Sequence, residues 1–337
     1  MAKGLALLII LVCLLSCVVL STALEQARAE TAYSGRKILW VDSYDLDYEW
    51  SRELEQAIVS VLEPTGVELL MVHMNTKSFL EEELKREAGL MALESVHSFA
   101  PDVVIASDDN AQKYFVAPYL MDSGIPVVFC GVNWDASEYG YPTETITGMV
   151  EVDLPLKVVE HMSRFAAGDR IGFLSDDTLS TRKVLDTYQN RFFNHTLNPA
   201  MVSSFAEFKS EFLRLREETD MIIFYNFAAI AGWDDDQARE FLLRETRTPT
   251  GTVNPHVAPY VIFTVEKFPS EHGAWAARTA LEILDGRSPA DIPMAENLDA
   301  ALTVNLYMAE ALGILIPLST LKAATVIGPG SGNQNRE

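Results

Sequence analysis

Short apolar runs alternate along this chain with longer segments whose apolar residues recur every three or four positions. The runs at residues 37–42 (KILWVD), 67–74 (VELLMVHM), 102–107 (DVVIAS) and 126–131 (PVVFCG) read as four strands. A second set follows at 170–175 (RIGFLS), 201–205 (MVSSF), 221–226 (MIIFYN) and 260–265 (YVIFTV). Continuous Val, Ile, Leu and Phe, without strict alternation, suits parallel strands covered on both faces. Helical spacing with charged outer positions occupies 48–62, 76–99, 110–121, 178–193, 206–218 and 234–247. Strand–helix alternation of this kind predicts doubly wound parallel α/β sheets. Because the pattern occurs twice, with a pause at about 140–155, two similar α/β lobes are expected.

Length and composition agree with that reading. A chain of 337 residues, 48% hydrophobic and 22% charged, has the make-up of a folded protein with two domains, each able to bury a core. Lys plus Arg number 26 against 48 for Asp plus Glu, a net charge of −22. An acidic surface of that size repels phosphate backbones, so nucleic acid is not an expected partner.

The first 29 residues read as a targeting segment. Lys3 precedes an apolar stretch from Gly4 to Leu24, and Ala27-Arg28-Ala29 offers a small-residue cleavage site before Glu30. The expectation is a signal peptide and export to the periplasm or another extracytoplasmic space. The stretch is also long enough to remain as an N-terminal membrane anchor, and Cys17 leaves a lipoprotein signal open. Cys13 and Cys17 lie in that segment, so the remaining chain holds Cys130 alone and no internal disulfide is expected. Cys130 reads as a buried small hydrophobe.

Ligands of open parallel sheets sit beyond the carboxyl ends of the strands. Here those ends carry Ser43-Tyr44, Ser107-Asp108-Asp109-Asn110, Gly131-Val132-Asn133-Trp134, Ser175-Asp176-Asp177-Thr178 and Tyr225-Asn226. Hydroxyls, carboxamides, carboxylates and aromatic rings gather where a cleft would form. The same residue types cap helices and form turns, so each position taken alone has a plain structural alternative. Five such tips in two lobes favour a ligand cleft.

With those tips, Ile38-Leu39-Trp40-Val41-Asp42-Ser43-Tyr44 and the following Trp50 resemble the opening of the substrate-binding proteins of ABC transporters, in the branch that includes tryptophan-binding members. Asp108-Asp109-Asn110-Ala111, the run from Pro126 to Val132, Thr147-Gly148, Val304-Asn305-Leu306 and Ile316-Pro317 follow in the expected order. The resemblance spans about residues 36–320. It implies a periplasmic-binding-protein type I-like fold: two lobes, joined by a multi-stranded hinge, that close on a small molecule. It implies lobe I at 36–150 plus about 273–300, lobe II at 151–272 plus about 301–322, and a flexible tail at 323–337. Carried over by position, Ser43, Tyr44, Asp108, Asp109, Asn110, Gly131, Val132 and Asn133 form one ligand-binding lip, and Trp50 is a further candidate for contact with the ligand. Asp176, Asp177, Thr178, Ser180, Tyr225 and Asn226 form the other. The paired Asp108-Asp109 and the acidic, aromatic loop from Tyr44 to Trp50 depart from the tryptophan-binding pattern, so ligand identity does not transfer.

An ionised Asp108 or Asp109 in a closing cleft calls for a cation or several donors. A ligand ammonium would supply one, Tyr44, Trp50, Trp134 or Tyr225 could hold an aromatic ring, and the helix start near Thr178 could receive a carboxylate. The expected ligand is therefore amino-acid-like or aromatic. No nucleophile, P-loop, zinc-protease or CxxC signature occurs, and the six histidines are scattered. Asp45, Asp47 and Glu49 imitate a calcium loop, but Trp50 and Gln56 stand where glycine and glutamate are needed. The expected role is a non-enzymatic, monomeric receptor without cofactor or metal, partnered by an ABC permease. The alternative is a ligand sensor coupled to a membrane signalling protein.

Overall fold

The computed structural model describes residues 32–329; the targeting segment expected at 1–29, with Cys13 and Cys17, lies outside them. The described chain opens with strand β1 (Lys37–Asp42), helix α1 (Glu49–Leu62), β2 (Glu68–His73), α2 (Glu82–Phe99) and β3 (Val103–Ser107). Helix α3 begins as Asp108–Ala111 and continues through a π-helical segment, Gln112–Val116, and a last turn, Ala117–Tyr119. Strands β4 (Val127–Asn133) and β5 (Ile146–Glu151) follow. Next come α4 (Pro155–Ser163), β6 (Ile171–Asp176), α5 (Leu179–Arg191), β7 (Asn198–Val202), α6 (Phe205–Glu218) and β8 (Met221–Asn226). The remainder is α7 (Asp235–Glu245), β9 (Thr250–Thr252), β10 (Phe263–Lys267), α8 (Pro269–Leu284), β11 (Ala295–Glu296), β12 (Ala300–Asn305), α9 (Leu306–Ala311), α10 (Leu318–Lys322) and β13 (Thr325–Ile327).

These elements fall into two units. The first runs to Val152 and regains Pro269–Asn297; the second is Asp153–Phe268 with the segment from Leu298 onward. The chain therefore passes between units three times, after Val152, Phe268 and Asn297.

The first unit is built on a six-stranded sheet in the order β11-β5-β4-β3-β1-β2, every pair parallel. Ile38 to Val41 and Val103 to Ala106 are fully buried, as continuous apolar strands covered on both faces must be. On one face α1 and α8 pack Leu54, Ile58, Ala276 and Ala280 against Trp40, Ile105 and Val128. Strand β5 occupies the stretch that reads from sequence as a pause. Its Thr147-Gly148 hides a fully buried strand, because a Cβ at Gly148 would lie 2.3 Å from the Phe129 ring. The residues regained after α8 are pinned in place: Thr147 Oγ1 donates to the Ile292 carbonyl (2.7 Å), and Asn297 Oδ1 accepts from the Val152 N–H (2.7 Å).

The second unit has a seven-stranded sheet in the order β13-β12-β10-β9-β8-β6-β7, with β10 and β12 antiparallel. Strand β7 lies a few residues earlier than the expected 201–205. Ser204 leaves the sheet to cap α6, its Oγ accepting from the Glu207 N–H, and Pro199 is tolerated because β7 is an edge strand. The tail expected at 323–337 is corrected at its start: Thr325–Ile327 pairs with β12 and completes the sheet edge. The buried Asp153 carboxylate, at the start of this unit, accepts from Tyr188 (3.0 Å) and from Lys267 (2.9 Å).

Candidate ligand site

The strand ends of the first unit are tied together by buried polar groups. Trp40 Nε1 donates to Ser107 Oγ (3.1 Å), and that hydroxyl donates to Asp42 Oδ1 (2.8 Å) at the end of β1. His73 Nδ1 lies 3.3 Å from the other Asp42 oxygen, and this contact lifts the imidazole pKa above its usual value. Ser43 Oγ donates to the Ser107 carbonyl (2.6 Å) and accepts from the Ala111 N–H (2.7 Å). Thr76, which the strand-tip pattern misses, donates to the Ser43 carbonyl (2.6 Å) and receives the Asn110 carboxamide (2.8 Å). Ser43 and Asn110 thus hold the lip together, with Thr76 as the third member.

Asp108 is the exception in this network. It follows β3 with a left-handed backbone (φ 66°), is 4% exposed, and its buried Oδ2 has no hydrogen-bond partner. Nearly all buried polar groups find partners, so an unpartnered carboxyl oxygen calls for an explanation. Gly131 makes room for it: at φ 72°, a Cβ there would stand 2.9 Å from Asp108 Oδ1. Burial raises the Asp108 pKa well above the ordinary carboxylate value, with further elevation from Asp42, Glu151 and Asp109 and an opposing effect from Lys77.

Asp109 is engaged. Its carboxylate accepts from Asn133 Nδ2 (2.7 Å) and from the Tyr139 hydroxyl (2.9 Å), so it clamps β4 and the following turn and does not cap α3. Val132 is fully buried in β4, beyond an irregularity in strand register at Gly131. Trp50 is a candidate from sequence for holding a ligand ring; in the structure its ring packs on His272 (centroids 5.5 Å apart) and joins the core beneath α1 and α8. The first turn of an amphipathic helix turns one side toward the sheet, and Trp50 lies on that side. Tyr44 is half-buried and meets Tyr48 edge-on at 5.2 Å, with the Lys77 ammonium above both rings. Burial and the charges of Asp108 and Asp109 raise the Tyr44 phenol pKa.

The second unit presents its own strand ends. Asp176 Oδ2 accepts from Asn226 Nδ2 (3.1 Å) and the Ala229 N–H (2.9 Å), and Asn226 Oδ1 contacts His256 Nε2 (2.8 Å). Tyr225 stacks on Phe173 at 5.7 Å. Asp177 pairs with Arg182, and Thr178 forms a capping box with Thr181 at the start of α5. Both side chains expected to meet a ligand there are occupied within the helix start, whereas Ser180 is exposed on its first turn. Phe227, Trp233, His256 and Tyr260 form an aromatic cluster after β8 that sequence reading did not foresee, with Phe227 and Trp233 stacked at 4.5 Å.

Among the described residues no group of three or more His, Cys, Asp or Glu side chains is placed to hold a metal ion. A cavity of about 430 Å³ in the second unit lies at the opposite, amino-terminal ends of its strands. Two of its arginines are already paired, Arg170 with Asp220 and Arg216 with Glu245, so its position and its chemistry both fall outside the strand-end pattern.

No family model and no curated protein matches the chain. Solved structures do. A ligand-free, open substrate-binding protein with adhesive properties from Clostridium difficile has a TM-score of 0.67 at 15% identity, covering 87% of this chain and 99% of that one. The fold is that of the type I periplasmic binding proteins. An ABC domain from Streptococcus pneumoniae in complex with L-Trp gives 0.53 at 16% identity, covering 87% of this chain and all of the other (100%). An ABC transporter solute-binding protein from Bradyrhizobium with bound bis-tris gives 0.52 at 13% identity, with 85% and 86% covered. Two of these neighbours are named as substrate- or solute-binding proteins and two as ABC proteins, in keeping with the sequence resemblance.

Proposed function

We propose that this chain is an exported solute-binding protein that captures a small molecule, amino-acid-like or aromatic, and delivers it to an ABC permease without chemical turnover. The observation that carries the reading is Asp108: a buried carboxyl with an unpartnered oxygen, held on left-handed backbone at the carboxyl end of β3. A solute donor completing that hydrogen bond would remove an unfavourable feature of the free protein, which ties binding to this position. The Asp109–Asn133 and Asn110–Thr76 hydrogen bonds brace the same strand ends, and Tyr44 supplies a ring. The fold supports the reading, and so do the L-Trp and bis-tris held by two of its neighbours.

The test is a thermal-shift screen of the purified chain against amino acids, polyamines, nucleosides and small carboxylates. A solute that binds only the native state raises the melting temperature, by a free energy of about 2.7 kcal/mol at a hundredfold excess over Kd. A shift with one chemical class that is lost in Asp108→Ala supports the receptor reading. No shift with any class, or an undiminished shift in Asp108→Ala, counts against it.

A further inference from the structure

We propose that Lys77 is a built-in competitor at the strand-end site of the first unit, and that the solute it competes with is a small organic ammonium. The proposal rests on the receptor reading and assigns its ligand class. Lys77 sits in the short turn Thr76–Ser78, directly after Thr76, which fixes that turn to Ser43. Its Nζ lies 3.2 Å from the centre of the Tyr48 ring and 4.4 Å from that of Tyr44. The two rings meet edge-on and form an open aromatic corner. Lys77 is exposed and forms no salt bridge among the described residues. Its charge nevertheless acts on Asp108, whose unpartnered Oδ2 is buried in the same region.

An aromatic corner backed by carboxylates attracts ammonium groups, because ring faces and acidic oxygens both carry negative potential. Here a lysine from the protein itself takes that place, on a flexible stem and without an ion pair to retain it. Exposed cation–π contacts are individually weak, so an incoming ammonium can displace the side chain, and the displaced lysine returns to water at little cost. Lys77 would thus lower affinity for cationic solutes; a lysine recruiting an anionic solute would raise affinity for anions.

Those two roles are separated by titrating the full chain and its Lys77→Met variant calorimetrically with phenethylamine and with phenylacetate, probes that share a ring and differ in charge. Removing the competitor should tighten phenethylamine binding about fivefold to tenfold, the size expected for one or two exposed cation–π contacts. Lys113→Met changes the net charge equally and should leave that affinity unaltered. Unchanged or weaker phenethylamine binding in Lys77→Met overturns the proposal, as does an equal gain in Lys113→Met. Loss of phenylacetate binding in Lys77→Met overturns it by making Lys77 an anion anchor. If neither protein binds phenethylamine, the ammonium assignment falls. A thermal shift with a neutral or anionic solute would then leave the receptor reading standing without it.

Discussion

Replacing Asp108 with Asn should make the protein more stable at neutral pH while removing solute binding. Asn is nearly isosteric with Asp and is among the non-glycine residues that best tolerate left-handed backbone, so the φ of 66° adds no new strain. Asp108 is 4% exposed, and burial is the largest cause of its raised pKa. Between the ordinary aspartate value near 3.8 and the raised folded value, the folded protein holds a proton at Asp108 that the unfolded chain has released. Folding then takes up a proton, so the contribution of this group to stability is present below the unfolded value and is lost as pH rises through that window. The limiting slope for one group is about 1.4 kcal/mol per pH unit. Asn carries no charge to desolvate and should be the more stable of the two at pH 7, because the loss of stability with rising pH falls on the carboxyl alone. Urea denaturation from pH 3.5 to 8 measures this, and the quantity to follow is the difference between the two proteins. Carboxylates such as Asp220 and Glu245, whose pKa values are lowered by arginine partners, are common to both and cancel. A flat difference across that range, or a less stable variant at pH 7, would refute the reasoning.

Gly131→Ala should destabilise the first unit by about 1–3 kcal/mol through its left-handed backbone and the Cβ placed 2.9 Å from Asp108 Oδ1. Part of that cost should disappear when Asp108 is also changed to Gly, and a double-mutant cycle in urea showing strict additivity would count against the contact. Thr178→Val removes the cap of α5 and should cost about 1 kcal/mol while leaving solute affinity unchanged. A large loss of affinity in that variant would return Thr178 to the ligand surface. Asp109→Ala should free Asn133 and Tyr139 and weaken solute binding by loosening the lip, with thermal stability reduced by about 1–3 kcal/mol. An unaltered binding isotherm would make this clamp irrelevant to the site.

Much of the architecture was legible because burial on both faces of a parallel sheet demands continuous apolar runs. Runs such as 37–42, 102–107 and 221–226 therefore mark their strands closely. Strand β5 escaped because Thr and Gly replace bulky residues where Phe129 presses against it, and Thr325–Ile327 escaped because an edge strand of three residues has no period to read. Helices α4 and α8 lie outside the segments with helical spacing read from sequence, although Pro155 and Pro269 at their first positions suit a helix start.

For the site, chain order alone placed Ser43, Asp108, Asp109, Asn110 and Asn133 at neighbouring strand ends, since in a doubly wound sheet the loop after each strand opens on the same edge. What each side chain does there was a tertiary decision. The same residue type became an unpartnered acid at Asp108, a clamp at Asp109 and an ion pair at Asp177, according to which donors the fold brought within reach. Trp50 went to the core because of the side of α1 on which it falls, and Lys77 came to rest on two tyrosines about thirty residues earlier in the chain. Local pattern specifies backbone periodicity and hence the sheet edge. Hydrogen bonds, charge pairing and exposure depend on residues far apart in sequence, and only the folded chain sets their distances.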